Sequence, residues 1–126
     1  MSSRPLLKPQ SVVTNGNMAT SLTSLATNIN MVSILSYTIV WTGSPTGTFS
    51  VQVSNDYIPN PLGVQDAPVN AGTWVALSLS TTVAPAGSGS SAFIDIDTCG
   101  AAWIRLVYTR SSGTGTLNAT IAGKSA

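Results

Sequence analysis

The stretch from Ala101 to Ala122 constrains this chain most, because two alternating segments flank a glycine-rich reversal. Between Trp103 and Arg110, side chains Ile104, Leu106 and Tyr108 fall on one side and Trp103, Arg105 and Val107 on the other. Successive residues of a strand point to opposite faces, so this segment is apolar on both and reads as a central strand. The return segment is lighter, with Leu117, Ala119 and Ile121 facing one way and Thr116, Asn118 and Thr120 the other, the alternation of a strand with one dry face. Gly113 and Gly115 lie between the two among serines and threonines. They supply the positive φ values that a reversal between antiparallel strands requires, so a hairpin is predicted here.

The same period recurs upstream. From Val32, Leu35, Tyr37, Ile39 and Trp41 alternate with Ser36, Thr38, Val40 and Thr42, and Gly43-Ser-Pro-Thr-Gly47 then turns the chain. Thr48 to Ser54 continues with Phe49, Val51 and Val53 inward, which predicts a second hairpin. Trp74 to Ser80 and Ala92 to Asp97 read as further strands, the latter leading to a turn at Thr98-Cys-Gly100. Met18 to Thr27 has Leu22 and Leu25 at helical spacing, but its serines and threonines favour a strand, with a turn at Asn28-Ile-Asn30. Asn55 to Gly72 holds Pro59, Pro61 and Pro68 and reads as a long loop, of the kind that makes contacts. Thr81 to Ser91, with Pro85, Gly87 and Gly89, is a connection. There is no exact internal repeat. The 126 residues suffice for one domain with its own core. About seven or eight strands at these spacings predict an all-β antiparallel β-sandwich, jelly-roll-like, over residues 14–126.

Residues 1–13 differ. Pro5 and Pro9 oppose helix and favour extended backbone, so this stretch is expected to be an extended N-terminal arm ahead of a first turn at Thr14-Asn-Gly16. It lacks the apolar core of a signal peptide, and no apolar run approaches bilayer length, so no membrane association and no export are expected.

Chemistry is scarce. Histidine and glutamate are both absent, which removes the commonest acid-base groups, and Cys99 has no histidine to activate it. The chain is therefore expected not to be an enzyme and to need no cofactor. As the single cysteine, Cys99 is expected to be a buried free thiol. Asp95 and Asp97 share a strand face about 7 Å apart and, with Asp56 or Asp66, would suit calcium; solvated edge aspartates or partners for Arg105 and Arg110 are the alternative. Trp41, Trp74 and Trp103 would make either a stacking platform for sugar or core and rim packing, and Tyr57 with Trp74 is the one candidate pair for an exposed sugar site. Asn118-Ala-Thr120 matches a glycosylation sequon without a signal peptide to make it meaningful. Net charge is +1 and the five cations, Arg4, Lys8, Arg105, Arg110 and Lys124, form no run, so nucleic acid is not an expected partner. Only 7% of residues are charged, against roughly a quarter in ordinary soluble domains. A surface so poor in charge is suited to meeting other protein, including copies of itself; the alternative is a surface kept in solution by its abundant serines and threonines.

Two passages carry a family resemblance: Val40-Trp-Thr-Gly-Ser-Pro-Thr-Gly-Thr-Phe-Ser-Val-Gln-Val-Ser-Asn-Asp56, and Ala102-Trp-Ile-Arg-Leu-Val-Tyr-Thr-Arg-Ser-Ser-Gly-Thr-Gly-Thr-Leu-Asn118 followed by Gly123-Lys124. They resemble small virion proteins of tailed bacteriophages, in which a β-sandwich with an extended arm attaches to the capsid as a decoration or cement subunit or forms part of a head fibre. The resemblance implies a structural protein made in the host cytoplasm, located on the capsid surface, with the major capsid protein and copies of itself as partners. It carries no catalytic, cofactor or metal residues. A tail or baseplate adaptor, a fibre component and a carbohydrate-binding module remain the alternatives. On the capsid reading the arm is the binding element, with Leu6 and Leu7 as apolar anchors, Arg4 and Lys8 meeting acidic surface, and Pro5 and Pro9 holding the backbone extended. Thirteen such residues reach roughly 40 Å.

Overall fold

The computed structural model describes residues 6–30, 32, 34–62, 68–78, 90–96 and 99–124. Nine strands and no helix occur among them: β1 (Leu6–Asn17), β2 (Leu22–Thr23), β3 (Thr27–Asn28), β4 (Ile34–Gly43), β5 (Thr46–Ser54), β6 (Val75–Leu77), β7 (Ser90–Ile96), β8 (Trp103–Ser112) and β9 (Gly115–Lys124). They form two antiparallel sheets. Sheet A has the order β1-β9-β4-β7 and sheet B the order β2-β8-β5-β6, with β3 also paired to β8. Leaving β3 aside, the chain is a ribbon whose ends pair first with last and inward from there, rolled so that alternate pairs fall in opposite sheets. This is the jelly roll, and the predicted fold class holds.

Both predicted hairpins are corrected. β8 lies in sheet B and β9 in sheet A, and β4 and β5 are divided in the same way. Each glycine-rich reversal carries the chain from one sheet to the other, and the two reversals pack together: Gly43 pairs with Gly115, Thr46 with Ser112, and the Ser44 amide donates to the Thr114 carbonyl at 2.9 Å. Gly43 and Gly113 have φ of 83° and 78°. A Cβ on Gly43 would stand 2.6 Å from the Thr114 oxygen, and one on Gly113 would run into the Ser44 carbonyl. These glycines thus serve a close approach of two backbones as well as a turn. Alternation followed by glycine looks the same in sequence for a hairpin and for an inter-sheet corner, because each strand keeps one dry face in either case.

The core lies between the sheets. β4 contributes Leu35, Tyr37, Ile39 and Trp41, β9 contributes Leu117, Ala119 and Ile121, and β5 and β8 answer with Phe49, Val51, Ile104, Leu106 and Tyr108. Rings from the two sheets meet near the corner, Trp41 to Phe49 at 6.0 Å and Phe49 to Tyr108 at 5.1 Å between centroids. Burial of each such side chain is worth about 1.5–3 kcal/mol relative to exposure. Cys99 is buried and free.

The N-terminal quarter departs from expectation in three ways. Residues 6–13, assigned to the arm, belong to β1 and pair with β9, so the extended arm gives way to sandwich at Leu6; residues 1–5 lie outside the described residues. The expected turn at Thr14-Asn-Gly16 is instead an irregularity within β1, where the register against β9 shifts between Val13 and Gly16 and Asn15 has φ of 52°. The strand expected over residues 18–27 is two short pieces, β2 and β3, on either side of Ser24. Ser24 bridges them: its amide donates to the Leu106 carbonyl at 2.8 Å, and its hydroxyl oxygen accepts from the Leu106 amide at 2.8 Å. The side chain thus takes the place of a missing backbone acceptor in the ladder. The next residue, Leu25, donates its amide to the Val12 carbonyl at 3.1 Å and ties the edge of sheet B to that of sheet A.

Candidate functional site

Of the six residues expected to bind a partner, Arg4 and Pro5 lie outside the described residues, and Leu6 is the first residue of β1, opposite Lys124. Leu7 packs against the core, so it is not a free anchor. Lys8 and Pro9 are exposed and fall where the β1–β9 register first breaks. Of this set the structure thus places Leu7 against the core and Lys8 and Pro9 in solvent.

The aspartates are not gathered. Asp66 and Asp97 lie outside the described residues. Asp56 clasps the long loop at its base, its Oδ1 accepting from the Thr73 amide at 2.7 Å and the Ser54 hydroxyl at 2.8 Å. These bonds, the Thr73 amide foremost, hold its carboxyl below the ordinary value. Asp95 is exposed on β7, whose neighbour is β4, so pairing with Arg105 or Arg110 on an adjacent strand is corrected as well. Those arginines are in the other sheet. Among the described residues no three His, Cys, Asp or Glu side chains cluster as metal ligands would.

The aromatic residues separate by role. Trp41 is in the core, with its indole nitrogen unpaired among the described residues. Trp103 and Trp74 are half-buried on the outer face of sheet B, where the loop after β5 folds back over the sheet. Tyr57 from that loop meets Trp103 edge-on at 5.0 Å and Trp74 at 5.5 Å. The Arg105 guanidinium lies 4.1 Å from the Trp74 ring centre, and its Nε donates to Gln52 Oε1 at 2.9 Å. Burial pushes the Arg105 guanidinium down from its ordinary value. The indole N–H of Trp74 donates to the Ala71 carbonyl. Tyr57 and Trp74 do come together, beside a hollow of about 270 Å³ that also touches Thr23, Ser24 and Arg105. Their rings, however, contact one another, Trp103 and Arg105, so the pair latches the loop to the sheet; it is not an open stacking platform. Beyond this latch the loop exposes apolar side chains, Ile58, Val69 and above all Leu62, which is 86% exposed.

Sheet A has a different outer face. Its β4, β7 and β9 residues there are largely Ser, Thr, Ala and Asn, with Val40 and Phe93 exposed, and the charged groups of these three strands are Asp95 and Lys124; β1 adds exposed Lys8 to the sheet. Ile34, Ser36, Phe93, Asp95, Ala122 and Lys124 line a shallow hollow of about 390 Å³ at one end. Phe93 was not singled out by sequence reasoning. The signal was the run Ala92-Phe-Ile94, in which strand alternation must turn one large apolar residue outward.

Fold and surfaces together define a class, a jelly-roll β-sandwich in which, among the described residues, one sheet is partly covered by its own loop and the other is uncovered and carries few charges. No protein-family model and no curated protein sequence matches the chain. Among solved structures, it is similar to a chain in the structure of infectious bursal disease virus, Gx strain, with a TM-score of 0.50 and 11% sequence identity. The match covers 98% of this chain and 32% of that one, so this chain spans less than a third of that neighbour's length. At this identity the likeness is one of fold.

Proposed function

We propose that this chain is a structural virion protein of a tailed bacteriophage, attached to the exterior of the capsid as a decoration or cement subunit, with the major capsid protein and copies of itself as partners. The observation that carries the reading is the jelly roll, shared over nearly the whole chain with a chain of a virus structure. The charge content of 7% supports it, as do the nearly uncharged outer face of sheet A and the apolar side chains displayed by the 55–72 loop. Surfaces of this composition lose little on desolvation when they meet protein.

Capsid attachment is assigned to residues 1–5 together with exposed Lys8 and Pro9 and the exposed Leu62 of the loop. Deleting residues 1–5 leaves every described strand intact, whereas deleting 1–13 removes most of β1 and with it the edge of sheet A. The test is co-sedimentation of purified chain with phage heads stripped of it. Full-length chain should saturate the heads, and the 1–5 deletion and Leu62→Ser should each lower occupancy while leaving the melting temperature unchanged. If full-length chain ignores heads and binds purified tails, a tail or baseplate adaptor is the right reading.

A further inference from the structure

The four sheet edges are not equivalent. β1 is broken by three register shifts against β9 and carries exposed Lys8 and Pro9, the latter without an amide proton to donate. β6 has three residues, and β2 and β3 have two each. Short length, bulges, charged side chains (lysine above all) and proline are the features by which sheet edges avoid pairing with another chain. β7 has one charge, Asp95, and none of the others. It runs for seven residues, Ser-Ser-Ala-Phe-Ile-Asp-Ile, without proline, glycine or a cation, and its register against β4 is unbroken from Ser90–Trp41 to Ile96–Leu35. Among the described residues nothing pairs with its far side. Its middle residue, Phe93, is 61% exposed on the outer face.

We infer that β7 is the self-association edge of this protein: two copies join β7 to β7 antiparallel across a two-fold axis at Phe93, fusing their A sheets into one of eight strands. Strand geometry and charge select both the partner and the register. With the axis at Phe93 all seven residues overlap, and Phe93 lies opposite Phe93 of the second copy, an aromatic cross-strand pair. Asp95 then lies opposite Ser91, whose hydroxyl can donate to the carboxylate, and the two Asp95 carboxylates stand about 13 Å apart along the strand. An axis at Asp95 would set like charges face to face, and an axis at Ile94 would set Asp95 against the Phe93 ring. The seam lies along the free edge of β7, where Asp95 is the one charged residue, so in this register joining the copies sets no two charges opposite each other. The inference rests on the self-association in the proposed function but not on capsid attachment, because it concerns the chain alone in solution.

The experiment is sedimentation velocity of the full chain from low micromolar to several hundred micromolar concentration, without capsids. Wild-type protein should show a reversible monomer–dimer equilibrium, and Phe93→Lys should weaken it at least tenfold by opposing two ammonium groups at the axis. In case Phe93→Lys perturbs the fold, Phe93→Cys and Ser91→Cys give a second reading under mild oxidation, with wild type as the control for buried Cys99. Phe93→Cys should yield a disulfide-linked dimer and Ser91→Cys should not, since only the former meets its own copy. A wild-type chain monomeric throughout, a dimer indifferent to Phe93→Lys, or equal cross-linking of the two cysteine variants would overturn the inference. Loss of head binding with the dimer intact would count against the capsid reading instead.

Discussion

Tyr37→Phe tests whether the centre of the sandwich is as dry as its packing implies. Tyr37 sits on the inner face of β4 with 0% exposure, and its hydroxyl has no hydrogen-bond partner among the described residues. An unpaired buried hydroxyl costs about 1–3 kcal/mol. Phenylalanine keeps the ring and its contacts, so the variant should be more stable at neutral pH by about 1–2 kcal/mol. In a domain of this size each kcal/mol raises the melting temperature by about 4 °C. Alkaline pH gives a second, independent reading. Burial, with the Cys99 thiol adding to it, pushes the Tyr37 phenol far above its ordinary value, so the folded protein keeps its proton where the unfolded chain loses it. The unfolded state then binds fewer protons. Stability contributed by this group is complete below about pH 10 and falls above it by about 1.4 kcal/mol per pH unit. Tyr108 behaves in the same sense, pushed up by burial and partly held down by Arg110, so Tyr37→Phe should remove one proton's share of the slope and leave the rest. The assay is urea unfolding at a series of pH values from 7 to 11. Destabilisation at pH 7 by more than about 1 kcal/mol would show that the hydroxyl is engaged, and an unchanged alkaline slope would refute the ionisation argument.

Two further predictions concern sheet B. Ser24→Ala removes the acceptor for the buried Leu106 amide and should cost about 1–3 kcal/mol, with faster hydrogen exchange at Leu106 than at Tyr108; uniform exchange along β8 would refute the bridging role. Trp103→Ala, at a half-buried site, should cost about 2 kcal/mol, below the 3–5 of a fully buried tryptophan, and should open the 55–74 loop to limited proteolysis by removing the ring on which Tyr57 rests. Unchanged protease resistance would mean that the latch is held elsewhere.

What the sequence displays well is face, and what it displays poorly is partner. The inward sets Leu35, Tyr37, Ile39, Trp41 and Ile104, Leu106, Tyr108 were legible because alternation is a local property and all seven are buried. The sheet to which each strand belongs is not local. Gly43 and Gly113 announced reversals correctly, but the reason for glycine at each is a carbonyl some 70 residues away in the chain, which no local pattern reveals. β1 was missed because Pro5, Pro9 and Lys8 are the marks of a protected edge and equally of a loose arm. The segment around Ser24 was ambiguous because a side-chain oxygen there does the work of backbone. On the surface, Tyr57 with Trp74 was legible as a pair, yet whether rings serve a ligand or a latch depends on Trp103 and Arg105 arriving from another strand.

The central places of the last two strands have a consequence for how the chain is born. β8 and β9 occupy interior positions in their sheets, β9 between β1 and β4, and β8 between β2 and β5. As the polypeptide leaves the ribosome, β1 and β2 therefore emerge ahead of β9 and β8, their mates among the described strands, while β4 and β5 can find β7 and β6. Neither sheet can close before Trp103 to Lys124 has been synthesised, and at about 5–20 residues per second the growing chain waits for seconds with Val12, Leu35 and Phe49 uncovered. Folding of the sandwich thus waits for β8 and β9, and the nascent chain depends in that interval on its abundant serines and threonines, or on a chaperone, to stay apart from its neighbours.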